Sequence, residues 1–232
     1  MYEKCIKRFL DFILSLLAVS VLSPVLLILI LVGAIAMKGN PFFTQLRPGR
    51  ISKKTGKETI FRMIKFRTMT NERDAEGNLL PDDVRLNGYG RFLRSTSLDE
   101  LPELLNILVG HMSIVGPRPQ LVRDMVFMTP EQRKRHSVRQ GLTGLAQVNG
   151  RNSVTWEKKF EFDLIYVERI TFMGDVKILF KTVAKVFQRD GIATEGMETA
   201  EDLGDYLLRT GRLEEDIYRE KMEEAKELIR NL

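Results

Sequence analysis

An apolar run near the start of the chain most constrains its fold. Residues Phe12 to Met37 continue for 26 positions without a charge, and Ser23-Pro24 lies near the middle of the run. Apolar segments of this length are typical of membrane helices. A signal peptide has an apolar core of only roughly 7–15 residues, so cleavage after Ala34-Ile35-Ala36 is not expected.

Pro24 bears on whether this helix crosses the bilayer. As a straight helix the run spans ~39 Å, more than the ~30 Å hydrocarbon core, whereas each half is too short to cross alone. Pro24 leaves the carbonyl of Ser20 without a helix donor, and nearby serine hydroxyls can replace that donor. Lysine and arginine flank both ends, which favours both ends in the cytoplasm. The residues alone support a re-entrant hairpin broken at Ser23-Pro24 and a kinked single pass equally.

Composition limits the remaining function classes. The 232 residues can bury one sizeable core beside the membrane segment. With Cys5 as the single cysteine and two histidines, neither an intramolecular disulfide nor a zinc-type ligand set is expected. From Glu195 onward there are 12 acidic and 6 basic residues in a chain of net charge +5. The preceding body is therefore strongly basic and suits an anionic partner, such as nucleic acid, anionic lipid or nucleotide phosphate.

The soluble part is predicted to be α+β and mostly helical. Short strands are predicted over residues 42–46 and 60–66, and a surface loop over 71–86. Helices are predicted over residues 101–108, 130–139, 156–170 and 175–187. In the acidic tail, a narrow apolar seam suits docking on the chain's own domain or pairing with a partner. Its members are Tyr218, Met222, Ala225, Ile229 and Leu232.

The most distinctive polar motif is Ser97-Leu98-Asp99-Glu100-Leu101-Pro102. Ser97 and Glu100 have the spacing of a helix capping box, which would place Asp99 in a first helical turn. Pro102 would then be the fifth helical residue, where its ring is unfavourable, so a distorted turn or a new start at Pro102 is expected. Functional carboxylates are often found at such irregular junctions.

Several basic residues suit a diphosphate substrate, because arginine and lysine bind phosphate oxygens. They are Lys65, Arg67, Arg94, Arg118 and Arg151. Any single one is more often a surface ion pair than a ligand. Of the two adjacent carboxylates, one can serve as nucleophile or Mg²⁺ ligand while the other tunes a proton. Mg²⁺ suits this set, because it binds through one or two carboxylates and the substrate's phosphates.

Three segments carry a resemblance to a known family. They read Arg94-Ser-Thr-Ser-Leu-Asp-Glu-Leu-Pro-Glu-Leu-Leu-Asn106, Gly110-His-Met-Ser-Ile-Val-Gly-Pro-Arg-Pro119 and Gly141-Leu-Thr-Gly-Leu-Ala-Gln-Val-Asn-Gly-Arg151. Over residues 1–192 the chain resembles the bacterial sugar transferases, or monotopic phosphoglycosyl transferases. It is most similar to the small forms, such as the diacetylbacillosamine phosphate transferase of bacterial N-glycosylation.

The resemblance implies transfer of sugar-1-phosphate from a UDP-sugar to polyprenyl (undecaprenyl) phosphate, with Mg²⁺ and release of UMP. An N-acetylated sugar is expected, 6-deoxy sugars included. The family's nucleophile, also a metal ligand, matches Asp99, and Glu100 matches a residue that assists with protons or acceptor positioning. The matching substrate-binding positions are Lys65, Arg94, Arg118 and Arg151. The family's helix break matches Ser23-Pro24, which favours the re-entrant hairpin.

The implied organisation has three parts: a re-entrant membrane helix over 1–38, a phosphoglycosyl transferase domain over 39–194, and an acidic tail with an amphipathic helix over 195–232. The implied location is the cytoplasmic face of the bacterial inner membrane, where the enzyme is monotopic. Its product would begin glycoconjugate assembly, in polysaccharide biosynthesis or protein glycosylation. The chain departs from the family at Gln140, where members commonly have proline, and in its tail.

Other functions compete with this interpretation. The basic body also suits a membrane-tethered module that binds nucleic acid or anionic lipid. Nucleic acid is not expected, because the aromatic residues fall in helical stripes and the basic residues are dispersed among glycine and proline turns. A glycosyl transferase that moves the sugar without its phosphate would release UDP. The apolar seam of the tail leaves self-association into a homo-oligomer open.

Overall fold

The structure is a computed structural model that describes residues 2–150, 154–188 and 201–231. Its α-helices, in chain order, are α1 (Lys7–Ala36), α2 (Asp82–Arg85), α3 (Gly88–Thr96), α4 (Glu103–Leu108), α5 (Val122–Met125), α6 (Pro130–Arg133), α7 (Leu145–Val148), α8 (Trp156–Glu168), α9 (Phe172–Gln188), α10 (Leu203–Arg209) and α11 (Glu215–Arg230). Its strands are β1 (Phe42–Ile51), β2 (Glu58–Phe66), β3 (Met112–Val115) and β4 (Gln140–Thr143). The chain is therefore α+β and mostly helical, as predicted.

The apolar run forms α1. A break at Ser23-Pro24 was predicted, but the helical secondary structure is continuous there. The helix continues through both residues to Ala36. The reason lies in the carbonyl that Pro24 leaves without a backbone donor: Ser23 Oγ donates to Ser20 O over 2.8 Å. Among the described residues, α1 is the one helix long and apolar enough to cross a membrane.

Polar contacts attach the first turns of α1 to the rest of the domain. Arg8 donates from its two terminal nitrogens to the carbonyls of Ile107 and Leu108, at 2.6 and 2.7 Å. The buried carboxylate of Asp11 accepts from Ser113 Oγ at 2.7 Å and from the Ile114 amide at 3.0 Å. These bonds fix the start of α1 against the end of α4 and against β3.

Two small sheets frame the region around α4. Strands β1 and β2 form an antiparallel hairpin in which Phe42 pairs with Phe66, and this confirms both predicted strands. Strands β3 and β4 are parallel, with Met112 opposite Gln140. This second sheet was not predicted, because four-residue strands are too short to show a period of two. Gln140, the position where the chain departs from the family that it resembles, is fully buried in β4.

The two sheets and α1 share an apolar core around α4. Its fully or largely buried members are Phe61, Met63, Leu104, Ile107 and Met112. The side chains of Ala18, Val19 and Leu22 pack against this cluster from α1. Further along the helix, Leu29 is buried with Phe66 and Leu93. One face of the apolar helix therefore packs on the domain in both halves, on either side of Pro24.

The acidic tail docks on its own domain, one of the two predicted alternatives. Tyr218, Met222 and Ala225 of α11 join a core cluster that includes Phe127 and Trp156. The Tyr218 ring stacks on the Phe127 ring with centroids 5.7 Å apart. The last predicted member of the seam, Leu232, lies outside the described residues.

The predicted helix at 130–139 is shorter than expected. Thr129 Oγ1 accepts a hydrogen bond from the Gln132 amide and caps α6. Gln132 Oε1 accepts from the Thr129 amide in turn, as in a capping box. The chain then tightens into a 3₁₀ turn over Lys134–Ser137 and becomes extended at Val138. The helix ends early because the following residues pair with β3 as a strand.

Candidate active site

The two adjacent carboxylates lie at a junction between helices. Helix α3 ends at Ser97, whose φ of +56° is in the left-handed region, and a 3₁₀ turn covers Leu98–Glu100. Helix α4 starts anew after Pro102, as predicted. The predicted capping box is wrong, because no side-chain hydrogen bond caps the turn at Ser97. Its left-handed backbone instead terminates α3 and turns the chain toward Asp99.

Glu100 is held between two cations. Its Oε1 lies 2.9 Å from Lys65 Nζ and 2.5 Å from an Arg118 terminal nitrogen. Burial would raise the pKa of Glu100, but the adjacent charges of Arg118 and Lys65 outweigh burial and hold it well below its usual value. Burial would likewise lower the pKa of Lys65, but Glu100 and Glu103 outweigh burial and raise it. Both partners are therefore charged at neutral pH.

Three separate elements bring this group together. Lys65 lies near the end of β2, Glu100 ends the 3₁₀ turn, and Arg118 follows β3 between two prolines. The side chain of Asn106 in α4 attaches the carboxylate junction to β2: its Oδ1 accepts from the Ile64 amide at 3.0 Å, and its Nδ2 donates to Arg62 O at 2.8 Å. A side-chain amide thus completes the hydrogen bonding of a strand edge next to Lys65.

The backbone around Arg118 is fixed by two other arginines. Arg135 is completely buried, forms an ion pair with Asp163 at 2.8 Å, and donates to Arg118 O at 2.6 Å. Arg47 donates to Pro119 O at 3.2 Å. The carbonyls of Arg118 and Pro119 lie outside β3 and have these arginine side chains as their donors. The Arg118 side chain is 42% exposed, so it reaches from a fixed backbone toward solvent.

Asp99, unlike Glu100, is not held by a cation in the described structure. Within the described residues its carboxylate forms neither a hydrogen bond nor an ion pair. The pKa of Asp99 is raised above its usual value, because burial and the charge of Glu100 outweigh the opposing charges of Lys65, Arg118 and Arg94. Asp99 is partly exposed. The site thus presents an uncommitted carboxylate within the electrostatic reach of three cations.

Glu103 is a member of the site that the sequence reasoning missed. It is 2% exposed, in the first turn of α4, and its Oε1 lies 3.1 Å from Lys65 Nζ. Burial, reinforced by Glu100, raises its pKa to about 7 despite the opposing charges of Lys65 and Arg118. Its partner Lys65 lies 38 positions earlier in the chain, and no short sequence motif encodes that contact.

The two remaining predicted arginines have different outcomes. Arg94, in the last turn of α3, donates from Nε to Thr68 Oγ1 at 3.1 Å and acts electrostatically on Asp99. Arg151 lies outside the described residues. The structure therefore brings together Lys65, Arg94 and Arg118 with the carboxylate pair, and it leaves the predicted role of Arg151 a prediction.

The carboxylates fit a metal only in part. Within the described residues, no group of three or more histidine, cysteine, aspartate or glutamate side chains is arranged to hold an ion. Glu100 and Glu103 are both engaged by Lys65, which leaves Asp99 as the carboxylate free to bind Mg²⁺. One protein carboxylate is enough for Mg²⁺ when substrate phosphates supply further oxygens.

Comparisons with known proteins show the family of the chain. A family profile described as "Bacterial sugar transferase" matches residues 2–189. The chain is 46% identical over 196 residues to an uncharacterized sugar transferase, EpsL, of Bacillus subtilis (strain 168), covering 84% of this chain and 94% of that protein. It is 36% identical over 198 residues to the exopolysaccharide production protein PSS of Rhizobium leguminosarum bv. phaseoli, covering 79% and 96%.

A third relative is larger. The UDP-glucose:undecaprenyl-phosphate glucose-1-phosphate transferase of Klebsiella pneumoniae is 39% identical over 191 residues, which are 78% of this chain but 40% of that protein. The chain thus spans less than half of this relative and nearly all of the Bacillus and Rhizobium proteins. On the family match and the high coverage of these relatives, the chain is an enzyme and belongs to the bacterial sugar transferase family.

Proposed function

We propose that this enzyme transfers sugar-1-phosphate from a UDP-sugar to undecaprenyl phosphate through a covalent intermediate on Asp99. The observation that carries the proposal is the contrast between the two adjacent carboxylates. Glu100 is bound by Lys65 and Arg118, whereas Asp99 has no partner among the described residues and lies within reach of the same cations. The Klebsiella relative is named for this reaction class with glucose.

In the first step, a carboxylate oxygen of Asp99 attacks the β-phosphorus of the UDP-sugar. A bond forms between that oxygen and phosphorus, and the bond from the β-phosphorus to the bridging oxygen breaks. The electron pair leaves with UMP, and the sugar phosphate stays on Asp99 as an acyl phosphate diester. A carboxylate is a weak nucleophile, so Lys65, Arg94 and Arg118 would stabilise the charge that develops on the phosphate oxygens.

In the second step, a phosphate oxygen of undecaprenyl phosphate attacks the same phosphorus and displaces the Asp99 carboxylate. The products are undecaprenyl diphosphate-sugar and the free enzyme. No net proton transfer is required in either step. The low pKa of Glu100 makes it a poor proton donor at neutral pH, so we assign it to positioning Lys65 and Arg118 rather than to acid catalysis.

We further propose that Mg²⁺ binds to Asp99 together with the substrate's diphosphate. When bound, the ion would neutralise phosphate charge and polarise the phosphorus under attack. Asp99 would be the protein ligand of the ion, and the diphosphate would supply further anionic oxygens. Among the described residues of the site, Asp99 is the one carboxylate that no cation pairs with, which supports a metal shared with the substrate rather than one held by protein alone.

We propose that α1 is a re-entrant membrane helix with both ends on the cytoplasmic side. Contacts with the domain extend from its first turn, where Arg8 bonds to Ile107 O, to its last, where Asn87 Nδ2 donates to Ala36 O at 3.0 Å. A helix that crosses a bilayer leaves its soluble domain after a few turns. Contacts along all of α1 instead support a monotopic protein whose site lies near the lipid headgroups.

For the donor sugar and the pathway we propose a class rather than a single compound. An N-acetylated donor, 6-deoxy sugars included, remains the expectation from the resemblance to the small forms. The names of the Klebsiella and Rhizobium relatives refer to glucose and to exopolysaccharide, so polysaccharide assembly is supported more directly than protein glycosylation. The donor panel must therefore contain UDP-glucose and UDP-galactose as well as UDP-N-acetyl sugars.

The nucleotide product tests the reaction class. Detergent-solubilised enzyme, Mg²⁺ and undecaprenyl phosphate are incubated with each donor, and UMP and UDP are separated chromatographically. The proposal predicts UMP in equal amount to lipid-linked sugar. UDP as the nucleotide product would instead show glycosyl transfer without the phosphate. No nucleotide release with any donor, from protein that melts cooperatively, would contradict the proposed activity.

A further inference from the structure

A basic groove lies beside the candidate active site and is lined by other residues. It encloses about 770 Å³ between the β1–β2 hairpin and the C-terminal end of α4. Its charged lining residues are Arg50, Lys53, Lys54, Arg62 and Arg139. Of the described residues that line the groove, none is acidic, and neither Asp99 nor Arg118 is among them. The groove is therefore electrostatically suited to an anion and is separate from the carboxylate pair.

The arginines of the groove have no ion-pair partner among the described residues, and one acidic side chain, Asp11, acts on Arg139 from a distance. Within the described part of the chain, Arg50, Arg62 and Arg139 form no ion pair with an acidic side chain. Arg139 donates from Nε to Gly110 O at 2.9 Å, next to the carbonyls that Arg8 contacts. Burial lowers the pKa of Arg139, and the nearby charges of Arg50 and Arg8 lower it further. Like charges gathered in this way favour a bound anion.

The same groove has an apolar side. Ile60 and Ile64 of β2 contribute to its wall, together with Leu105 and Val109 at its α4 edge. Leu105 is 43% exposed and Val109 is 67% exposed, although both belong to the segment that carries the apolar core. Exposed aliphatic side chains beside unpaired arginines match a ligand that has both an acyl chain and an anionic group.

The position of the groove relates it to the membrane helix. Arg8 lies in the first turn of α1 and bonds to the last carbonyls of α4, at the end of the helix where Leu105 and Val109 are exposed. Helix α1 also packs along α4 through Ala18, Val19 and Leu22. If α1 lies in the cytoplasmic leaflet, the groove is near the level of the headgroups, where anionic lipids are concentrated.

We propose that this groove binds one anionic phospholipid of the leaflet. The phosphodiester would contact Arg50, Arg62 and Arg139, and an acyl chain would lie on Leu105 and Val109. Arginine suits this role, because its planar group donates two parallel hydrogen bonds to phosphate oxygens. The bound lipid would hold the β1–β2 hairpin, which carries Lys65, against the membrane surface.

The test measures binding rather than turnover. Dihexanoyl phosphatidylglycerol, below its micelle concentration, is titrated by calorimetry into full-length enzyme in a zwitterionic detergent. Dihexanoyl phosphatidylcholine and glycerol 3-phosphate are titrated in parallel. We expect saturable binding of one phosphatidylglycerol, at least about tenfold weaker binding of phosphatidylcholine, and no measurable binding of glycerol 3-phosphate.

Variants locate the binding in the groove. Arg50→Gln with Arg62→Gln should weaken phosphatidylglycerol binding at least about tenfold, because two phosphate contacts are lost. Lys57→Gln with Arg230→Gln removes the same charge from exposed positions outside the groove and should leave affinity unchanged. Arg50→Lys with Arg62→Lys keeps the charge and should retain part of the affinity. Thermal melting verifies that each variant is folded.

Four outcomes would overturn the proposal. The first is unchanged binding of phosphatidylglycerol by the Arg50→Gln, Arg62→Gln variant. The second is an equal loss of affinity in the control variant, which would indicate diffuse charge attraction. Equal binding of glycerol 3-phosphate would indicate a site for free phosphate. Competitive displacement of phosphatidylglycerol from the wild-type enzyme by undecaprenyl phosphate, together with weaker direct binding of undecaprenyl phosphate to the groove variant, would assign the groove to the acceptor instead.

Discussion

The buried guanidinium of Arg135 donates a hydrogen bond of 2.6 Å from Nη2 to the backbone carbonyl of Arg118, and its Nε donates to Asp163 Oδ2 at 2.9 Å. Arg118 is one of the two cations that hold Glu100. Arg135, which forms no ion pair with Asp99 or Glu100 in the described structure, thus fixes the backbone of the residue that holds Glu100. Arg135 is a positioning residue in this arrangement.

This hydrogen bond predicts that a double variant at Arg135 and Asp163 can regain stability without regaining activity. Arg135→Ala should lower the free energy of unfolding by about 3–5 kcal/mol, because Asp163 is left as a buried, unpaired charge. Arg135→Met combined with Asp163→Leu should recover most of that loss, since neither charge remains. The double variant should still turn over slowly with a raised KM for the UDP-sugar, because the Arg118 carbonyl has lost its donor. Wild-type kinetics in the double variant would contradict the positioning role.

Glu103 predicts a specific pH dependence of stability. Its pKa is raised to about 7 in the folded enzyme, above the usual 4.5, so between these values the folded state binds more protons than the unfolded state. Stability from this group is therefore present below pH 4.5 and is lost as pH rises through 7. Glu103→Gln mimics the protonated form and should become more stable than wild type by on the order of 1–3 kcal/mol from pH 5 to 8.

Denaturant unfolding of both proteins at each pH measures that difference. The other titrating groups are shared, so their contributions largely cancel in the comparison. A constant difference between wild type and Glu103→Gln across this range would show that the pKa of Glu103 is unshifted. Asp83→Asn, at an exposed position in α2, serves as the control and should give no such trend.

The docked tail predicts that α11 contributes to stability but not to chemistry. Ala225 is 2% exposed in the cluster with Phe127 and Trp156, so Ala225→Asp should lower stability by at least about 2 kcal/mol. Ile229→Asp, on the same helix at 44% exposure, should change it by less than about 0.5 kcal/mol. Deleting residues 196–232 should lower the melting temperature while kcat per folded molecule is maintained.

Loss of turnover in a truncated enzyme that still melts cooperatively would contradict this division. Size-exclusion chromatography with light scattering on the Ile229→Asp variant also tests self-association. If the exposed end of α11 mediates assembly, this variant should shift the enzyme to a smaller species.

The membrane proposal predicts that both ends of α1 face the cytoplasm. Cys5, the single cysteine of the chain, is exposed just before α1. In intact spheroplasts an impermeant maleimide should label neither Cys5 nor, in a Cys5→Ser background, a cysteine introduced at Lys38. Both should react after lysis. Labelling of one of the two in intact spheroplasts would show that α1 crosses the bilayer.

The sequence supplied the parts of this account that depend on local pattern. The apolar run predicted α1, and the position of Pro102 predicted the interrupted turn that separates Asp99 from α4. Local pattern also suggested that a serine hydroxyl would bond to the Ser20 carbonyl, as Ser23 does. Because that bond satisfies the carbonyl, the helix continues through Pro24 instead of breaking in its secondary structure.

The contacts that build the site depend on distant residues, which explains why they were not predicted. Arg135 and Arg118 are 17 positions apart and meet only because β3 and β4 pair. Glu103 is the first residue of α4 and precedes two leucines, and its ion pair with Lys65 joins residues 38 positions apart. Neither a period nor a short motif encodes such pairs, so the roles of Glu103, Arg135 and Asn106 emerged from packing alone.

The measurement that tests the central claim most directly is a single turnover without lipid acceptor. Excess detergent-solubilised enzyme is mixed with its UDP-sugar and Mg²⁺, UMP is quantified, and the intact and digested protein is analysed by mass spectrometry. The covalent mechanism predicts a UMP burst near enzyme stoichiometry and a phosphosugar mass on Asp99. Asp99→Asn should give neither, whereas Glu100→Gln should give the same product more slowly. UMP release that requires undecaprenyl phosphate, with no mass added to Asp99, would contradict the intermediate and the assignment of Asp99 as nucleophile.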